Sequence, residues 1–444
     1  MRKTGTEIEA IKKKYNVNDI YSWSKYNSIK TNLYTYFLKY VLKKDEDKSD
    51  NIYSDAGNLV HGLLEDYYCG KLKKEELENL YDEQMYIFEI SGKKFDRTDE
   101  DKNIQISQKY NYCNKHFFKN FIPITGENIK TEEFLLIKID DLLFQGYSDF
   151  EHNEIRNGKN KIIITDFKTS TIYTGKKIEK ERGQLLLYAL AKIQQGYDIN
   201  DIIIRWLFTK YVSVTVPNKD GTRIRNISRN EIGSCLCASI KTQLKNVIKY
   251  TKKEIDEFIE NMIKNKNLEL MPNFIKNNIT QIEYAKNESI KKTFINKIKK
   301  LLSTCRKYND SDIETIIDEL ILTNDIQCVP KKVRDMFIIN DCYVEIPFNK
   351  KDLDNLKIEI KETITNIIEK ENEYKNQKCG IKDDSMFFEE IKYEDSYFFS
   401  VLSGYSANLH KPYKAYLDKL ESDKNNFNNK KDEEDLSWMD ELFE

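Results

Sequence analysis

Residues 161–169 read KIIITDFKT, a β-branched apolar run that ends in Asp166-Phe167-Lys168. Such a run suits a strand buried on both faces. On a strand, residues i and i+2 point to the same side, so Asp166 and Lys168 share a face. An acidic-x-Lys triplet alone says little, because Glu359-x-Lys361 and Glu390-x-Lys392 carry one too. Asp166-x-Lys168 stands apart because it terminates a buried strand, where charge is more often site than surface.

Upstream lie FLLIKI (134–139), a polar Asp140-Asp141 corner, LLFQGYSDF (142–150) and the polar stretch NEIRNGKN (153–160). Together with 161–169 they predict an antiparallel meander, which sets Asp149 beside Asp166 across a hairpin. Downstream, a helix is expected over about 178–195, ended by Gly196, followed by the buried strand DIIIRWLFT (201–209). Strand, helix, strand implies a crossover and parallel pairing. VSVTV, PNKDGT and RIRNIS (212–228) read as a further hairpin.

Residues 20–43 look helical, with aromatics three and four apart, and a helix capped by Ser54 or Asp55 is expected over about 57–69. His61 and Glu65 lie four apart on its face. Residues 72–120 predict more helix. YVEIPF (343–348) predicts a strand, and 350–373 a helix rich in Glu and Lys. The expected fold class is α/β: a mixed central sheet flanked by helices, with a large helical insertion. The expected organisation is an extension at 1–19, a core at 20–228 and 341–390, an insertion at 229–340, a helical and polar segment at 391–431, and an acidic tail at 432–444.

The 444-residue chain carries 72 Lys and Arg against 74 Asp and Glu, so any nucleic-acid contact must come from local patches. No apolar h-region and no run of about 18 apolar residues is visible, which predicts a cytoplasmic protein without a membrane span. The eight Cys show no disulfide spacing. Cys235-x-Cys237 falls on a predicted helix, where residues two apart diverge, so ordinary thiols are expected there.

Hydrolysis of a phosphodiester calls for a divalent metal that offsets phosphate charge and lowers the pKa of water. Mg²⁺ takes oxygen ligands and keeps several waters, so one or two carboxylates suffice. Asp149 and Asp166 supply them, and the Phe167 backbone carbonyl offers another oxygen. Lys168 stands where an ammonium can orient or deprotonate the attacking water and neutralise developing charge. A lone His61 reads as a buried imidazole; with Glu65 behind it and two Asp downstream it reads as a metal ligand. Gln184 and Tyr188, alone, read as helix packing, but their i, i+4 stripe faces the strand just left and suits contact with a substrate strand. Arg182 suits the phosphate backbone.

Taken in order, His61 on an early helix, Asp149 in Gly146-Tyr-Ser-Asp149, Asp166 with Lys168, and Gln184 with Tyr188 on the next helix resemble the RecB-like branch of the PD-(D/E)xK nuclease superfamily, which includes CRISPR-associated RecB-like enzymes and helicase-linked nuclease domains. The resemblance covers about 20–228 and 341–390. It implies a restriction-endonuclease-like core, Mg²⁺ or Mn²⁺, and DNA cleavage, often exonucleolytic on single strands or ends. Many such relatives hold a [4Fe–4S] cluster through four Cys. Here Asn32 stands where the first thiol would be, and only Cys379 remains of the other three, so no Fe–S cluster is expected. No GxxxxGK[ST] loop occurs, so any unwinding falls to a partner.

The expected function is a metal-dependent deoxyribonuclease of recombination, repair or phage DNA metabolism. The alternative is a catalytically weak DNA-binding scaffold on the same fold, acting with a partner helicase or recombination protein. The tail, with Leu436, Trp438, Met439, Leu442 and Phe443 among acids, reads as a solubilising end or as a peptide that docks a protein partner. The Lys-rich stretch 286–300 reads as a solvated helix face or as an extension of a DNA track.

Overall fold

The β-branched runs form strands and the periodic segments form helices. The computed structural model describes residues 2–31, 33–44, 52–96, 99–247, 250, 252–265, 288–304, 308–378, 382–387 and 422. Asn32, Cys379 and the acidic tail lie outside them. The chain divides into two compact units. One comprises Met1–Asn111, Pro123–Phe208 and Tyr343–Glu444; the other comprises Tyr112–Ile122 and Thr209–Cys342.

The first unit is α/β. Helices α1 (Gly5–Tyr15), α2 (Trp23–Thr31), α3 (Leu33–Tyr36), α4 (Ile52–Tyr68) and α5 (Lys74–Ile90) precede α6 (Glu100–Asn120), whose C-terminal part belongs to the second unit. The meander follows as β2 (Glu127–Ile139), β3 (Leu142–Arg156) and β4 (Lys159–Lys168), antiparallel as the sequence predicts. Helices α7 (Lys176–Glu181) and α8 (Gly183–Gln194) then lead into β5 (Ile202–Asn218). β5 pairs parallel with β4, Ile162 opposite Ile202 through Lys168 opposite Phe208. The two-residue strand β1 (Tyr21–Ser22) pairs parallel with β3. Ile163, Ile164, Leu185, Ala189 and Phe144 are fully buried between sheet and helices. α8 packs on β2 and β4, and the long helix Lys350–Asn376 packs on α8 and α2.

Three local expectations are refined. The expected helix over 20–43 is broken into β1, α2, α3 and a π-helical turn at Phe37–Val41. The helix carrying His61 begins at Ile52. The helix expected over 178–195 is two helices meeting at Arg182. There Gly183 admits the Trp23 ring, since a Cβ would fall 2.0 Å from it.

In the second unit, β5 continues past Thr209 as one strand, merging the two strands read at 201–209 and 212–216. It forms a hairpin with β6 (Gly221–Ser228). Val212, Val214 and Val216 of β5 pack with Leu236, Ile240 and Leu244 of α9 (Ile232–Val247) and with Ile313 and Leu320 of the helix Asp310–Thr323. Buried Arg229 is tied to Asp341 at 2.5 Å and to the Thr209 carbonyl at 2.7 Å. The Lys-rich stretch falls mainly on the helix Glu288–Thr304, packed on α10 (Lys252–Asn265). Among the described residues no helix is long and apolar enough to cross a membrane.

Each unit buries a histidine that resists protonation. Burial, then the Arg205 charge, pushes His152 down to about 4 from the ordinary 6.5. In the other unit, burial and then Arg229 push His116 down to about 4. The unfolded chain therefore takes up protons between pH 6.5 and 4 that the folded chain refuses. Folding stability should fall with pH across that window, by up to about 1.4 kcal/mol per pH unit for each histidine. Thermal melts at pH 7, 6 and 5 check this, and His152→Gln should flatten part of the slope.

Candidate active site

Four of the expected residues meet at the C-terminal end of β4. His61 arrives from the middle of α4, Asp149 from β3, and Asp166 and Lys168 from β4. His61 Nδ1 lies 3.4 Å from Asp149 Oδ2. The same oxygen accepts the Phe167 amide at 2.7 Å, which fixes the carboxylate against the neighbouring strand. The His61 ring meets Phe167 edge-on at 5.8 Å. Lys168 Nζ stands 2.6 Å from Asp166 Oδ2. That charge-assisted contact is what meets the buried Oδ2.

The charges are strongly coupled. Burial pushes the Asp166 carboxyl up to about 6; Lys168 opposes the rise, and the Asp149 charge adds to it. Asp149 is pushed up by burial too, but His61, Lys168 and the Phe167 amide outweigh this and hold it below the usual carboxylate range. For Lys168, burial works against the ammonium, and the two carboxylates more than restore it. For His61, burial again opposes the charged form and Asp149 overcomes it. Two carboxylates shifted in opposite directions beside a held ammonium mark this cluster as the candidate site.

Gln184 and Tyr188 are joined to each other, and their stripe docks on β3. Gln184 Nε2 donates to Tyr188 Oη at 2.7 Å, and Tyr188 Oη donates to the Tyr147 carbonyl at 2.8 Å. Burial, then the Asp166 and Asp149 charges, raises the Tyr188 phenol well above its ordinary value, which puts it in the field of the same carboxylates. The Tyr188 ring also explains Gly146, where a Cβ would meet ring carbon Cε1 at 2.7 Å. Gly146→Ala should cost about 1–3 kcal/mol by overpacking and shift β3 near Asp149. A lowered thermal midpoint together with weaker activity checks it.

Arg182 is engaged elsewhere. Its Nη2 pairs with Glu179 at 2.6 Å and with Asp352 at 3.0 Å, beside a cavity of about 430 Å³ that is also lined by Trp23, Lys30 and Glu359. Glu65, one turn beyond His61, acts on Arg2 and Lys71. At Phe167 it is the amide that reaches Asp149.

The structure adds a buried pair that the sequence reading passed over. Lys192 Nζ lies 2.6 Å from Glu151 Oε2, both 2 % exposed, and Ser148 Oγ donates to Glu151 Oε1 at 2.6 Å. The signal was present: Lys192 extends the Gln184, Tyr188 stripe by four residues, and Glu151 lies two beyond Asp149 on β3. The stripe therefore clamps α8 to the strand that carries the site carboxylate.

A divalent cation fits the donor set, because Asp149 and Asp166 offer carboxylate oxygens on paired strands and feel each other's charge. Among the described residues no three His, Cys, Asp or Glu side chains form a ready-made cage. A hard cation that keeps its waters needs only one or two protein carboxylates.

The sequence profile of the PD-(D/E)XK nuclease superfamily matches residues 21–273, more than half of the chain. The chain belongs to this superfamily, and its mixed α/β sheet is the restriction-endonuclease-like fold of that class. A comparison with curated proteins found no match.

Proposed function

We propose that the protein is a metal-dependent deoxyribonuclease of the RecB-like branch, acting as an exonuclease on DNA ends in recombination, repair or phage DNA metabolism. The observation that supports this most is the convergence of His61, from a helix far upstream, with Asp149, Asp166 and Lys168 of the hairpin strands β3 and β4. A scaffold has no need of two carboxylates gathered around a buried ammonium, an arrangement that costs stability.

In this reading Asp149 and Asp166 hold Mg²⁺ or Mn²⁺, with His61 and the Phe167 carbonyl as further donors. The cation, when bound, offsets phosphate charge and lowers the pKa of water. Lys168, held by Asp166, orients the attacking water and stabilises charge as it develops on the phosphate. His61 holds Asp149 in place. Tyr188 and Gln184 fix β3 and line the path of the substrate strand. Arg182 is the more distant phosphate contact, released from Asp352 or Glu179 when DNA binds.

The nuclease core is assigned to 20–228 and 341–390, with 229–340 as an insertion. The protein is read as cytoplasmic and free of an Fe–S cluster; the acidic tail 432–444 is read as the docking point for a protein partner. End-labelled single-stranded, duplex and closed circular DNA, with an RNA of matched sequence, test the reading. Degradation of the linear DNAs from one end, sparing circles and RNA, is expected. Cleavage of circles, or preference for RNA, would replace the exonuclease assignment.

A further inference from the structure

A third acidic residue lies across the β2–β3 ladder from Asp149. In the β2–β3 ladder Thr131 is opposite Phe150 and Glu133 opposite Ser148, so Glu132 stands opposite Asp149. Residues opposite one another in an antiparallel pair are side-chain neighbours. The Glu132 backbone has φ 47°, left-handed for a Glu within a strand. Its side chain is only 12 % exposed, although it is charged. Its charge acts on Tyr188 together with those of Asp166 and Asp149. Arg2 Nε holds its Oε2 at 3.1 Å, and that guanidinium is itself 76 % exposed and leans over the Tyr147 ring.

Strain in a residue that glycine or asparagine would relieve, at a nearly buried charge, is a cost that packing alone does not repay. The strained residue adjoins the site, where such strain accumulates. The three carboxylates are also unequal. Asp149 is tied to His61 and the Phe167 amide, and Asp166 to Lys168, whereas the cation on Glu132 is an exposed arginine that water or a phosphate can displace.

We propose that Glu132 is a further positioning residue of the metal site, acting on the divalent cation through its water ligands, with Arg2 as its exchangeable counter-ion. This deepens the nuclease reading and rests on it. Mg²⁺ and Mn²⁺ retain waters that need acceptors, and a carboxylate opposite Asp149 is placed to orient them. Loss of such outer partners costs metal affinity about 10–100-fold.

The test is calorimetric titration of the full chain with Mn²⁺ alone, paired with thermal melts, for wild type, Glu132→Gln, Glu132→Gly and Asp166→Asn. Both Glu132 variants are expected to weaken Mn²⁺ binding about tenfold or more. Glu132→Gly should melt higher than Glu132→Gln, because glycine adopts the positive φ without strain. Mn²⁺ affinity within twofold of wild type in Glu132→Gln, with Asp166→Asn binding lost, would overturn the role of Glu132 and leave the nuclease reading standing. A wild type that binds no Mn²⁺, or an Asp166→Asn that binds it normally, would instead bring down the site itself.

Discussion

Replacing Asp166 with Asn should abolish cleavage without unfolding the protein. The carboxylate is 2 % exposed and its cation, Lys168, belongs to the same cluster, so its expected role is to bind a ligand. Asparagine keeps the shape and removes the charge that a cation requires. A loss of at least about a thousandfold, near 4 kcal/mol of barrier, is expected. The stability change is expected to be small, because two effects oppose each other. The folded protein raises this carboxyl to about 6 from 3.8, chiefly by burial. Across that interval the folded state binds the proton more tightly than the unfolded state. The Asp166 contribution to wild-type stability in EDTA should therefore decline as pH rises from about 4 to 6, against the larger and opposite contribution of His116 and His152. Asn, neutral throughout, avoids that penalty. Against this, the variant leaves the buried Lys168 ammonium with Asp149 as its remaining carboxylate, so the thermal midpoint in EDTA at pH 7 should stay close to that of wild type. A steep drop in the midpoint would mean that Asp166 serves the fold.

Lys168→Ala is expected to lose about 10²–10⁴ in rate, the range associated with a positioned proton-transfer or charge-stabilising group. Here the stability effect is a loss. The ammonium pairs with Asp166 at 2.6 Å and its charge also holds Asp149 low. Its removal leaves two buried carboxylates facing each other. Breaking a buried pair on one side costs about 3–5 kcal/mol. A divalent cation replaces the missing positive charge, so Mn²⁺ should raise the melting temperature of Lys168→Ala more than that of wild type. Melts with and without Mn²⁺, alongside cleavage rates, separate this pattern from simple misfolding. Equal Mn²⁺ shifts in the two proteins would contradict it.

The core of the fold was legible because its strands are β-branched runs of fixed period. Ile162–Ile164 and Ile202–Ile204 announce a buried parallel pair, and NEIRNGKN announces the hairpin that sets Asp149 near Asp166. Boundaries were less legible. The break at Arg182 depends on Trp23 filling the space over Gly183, a contact 160 residues away in sequence that no periodicity reports. The merging of two read strands into β5 depends on its pairing with β4 at one end and β6 at the other.

Within the candidate site, the residues named from local patterns, His61, Asp149, Asp166 and Lys168, come together, and Gln184 and Tyr188 dock on β3 beside them. Glu132 was not named, because a Glu in the charged run ENIKTEEF looks like solvated strand; its significance comes from register and a positive φ. Glu151 and Lys192 were passed over because each alone reads as surface, and only the packing of α8 on the sheet buries them together. Arg182 was read from its neighbours in sequence, whereas its partner Asp352 comes from a distant helix.

The measurement that bears most directly on the central claim is DNA degradation by the purified wild-type chain in Mg²⁺, Mn²⁺ or EDTA, with Asp166→Asn in parallel. Degradation that needs the metal and vanishes in the variant is the predicted result. Wild-type degradation that persists in EDTA, or is matched by Asp166→Asn, would contradict the assignment of the His61, Asp149, Asp166 and Lys168 cluster as a metal-dependent nuclease site.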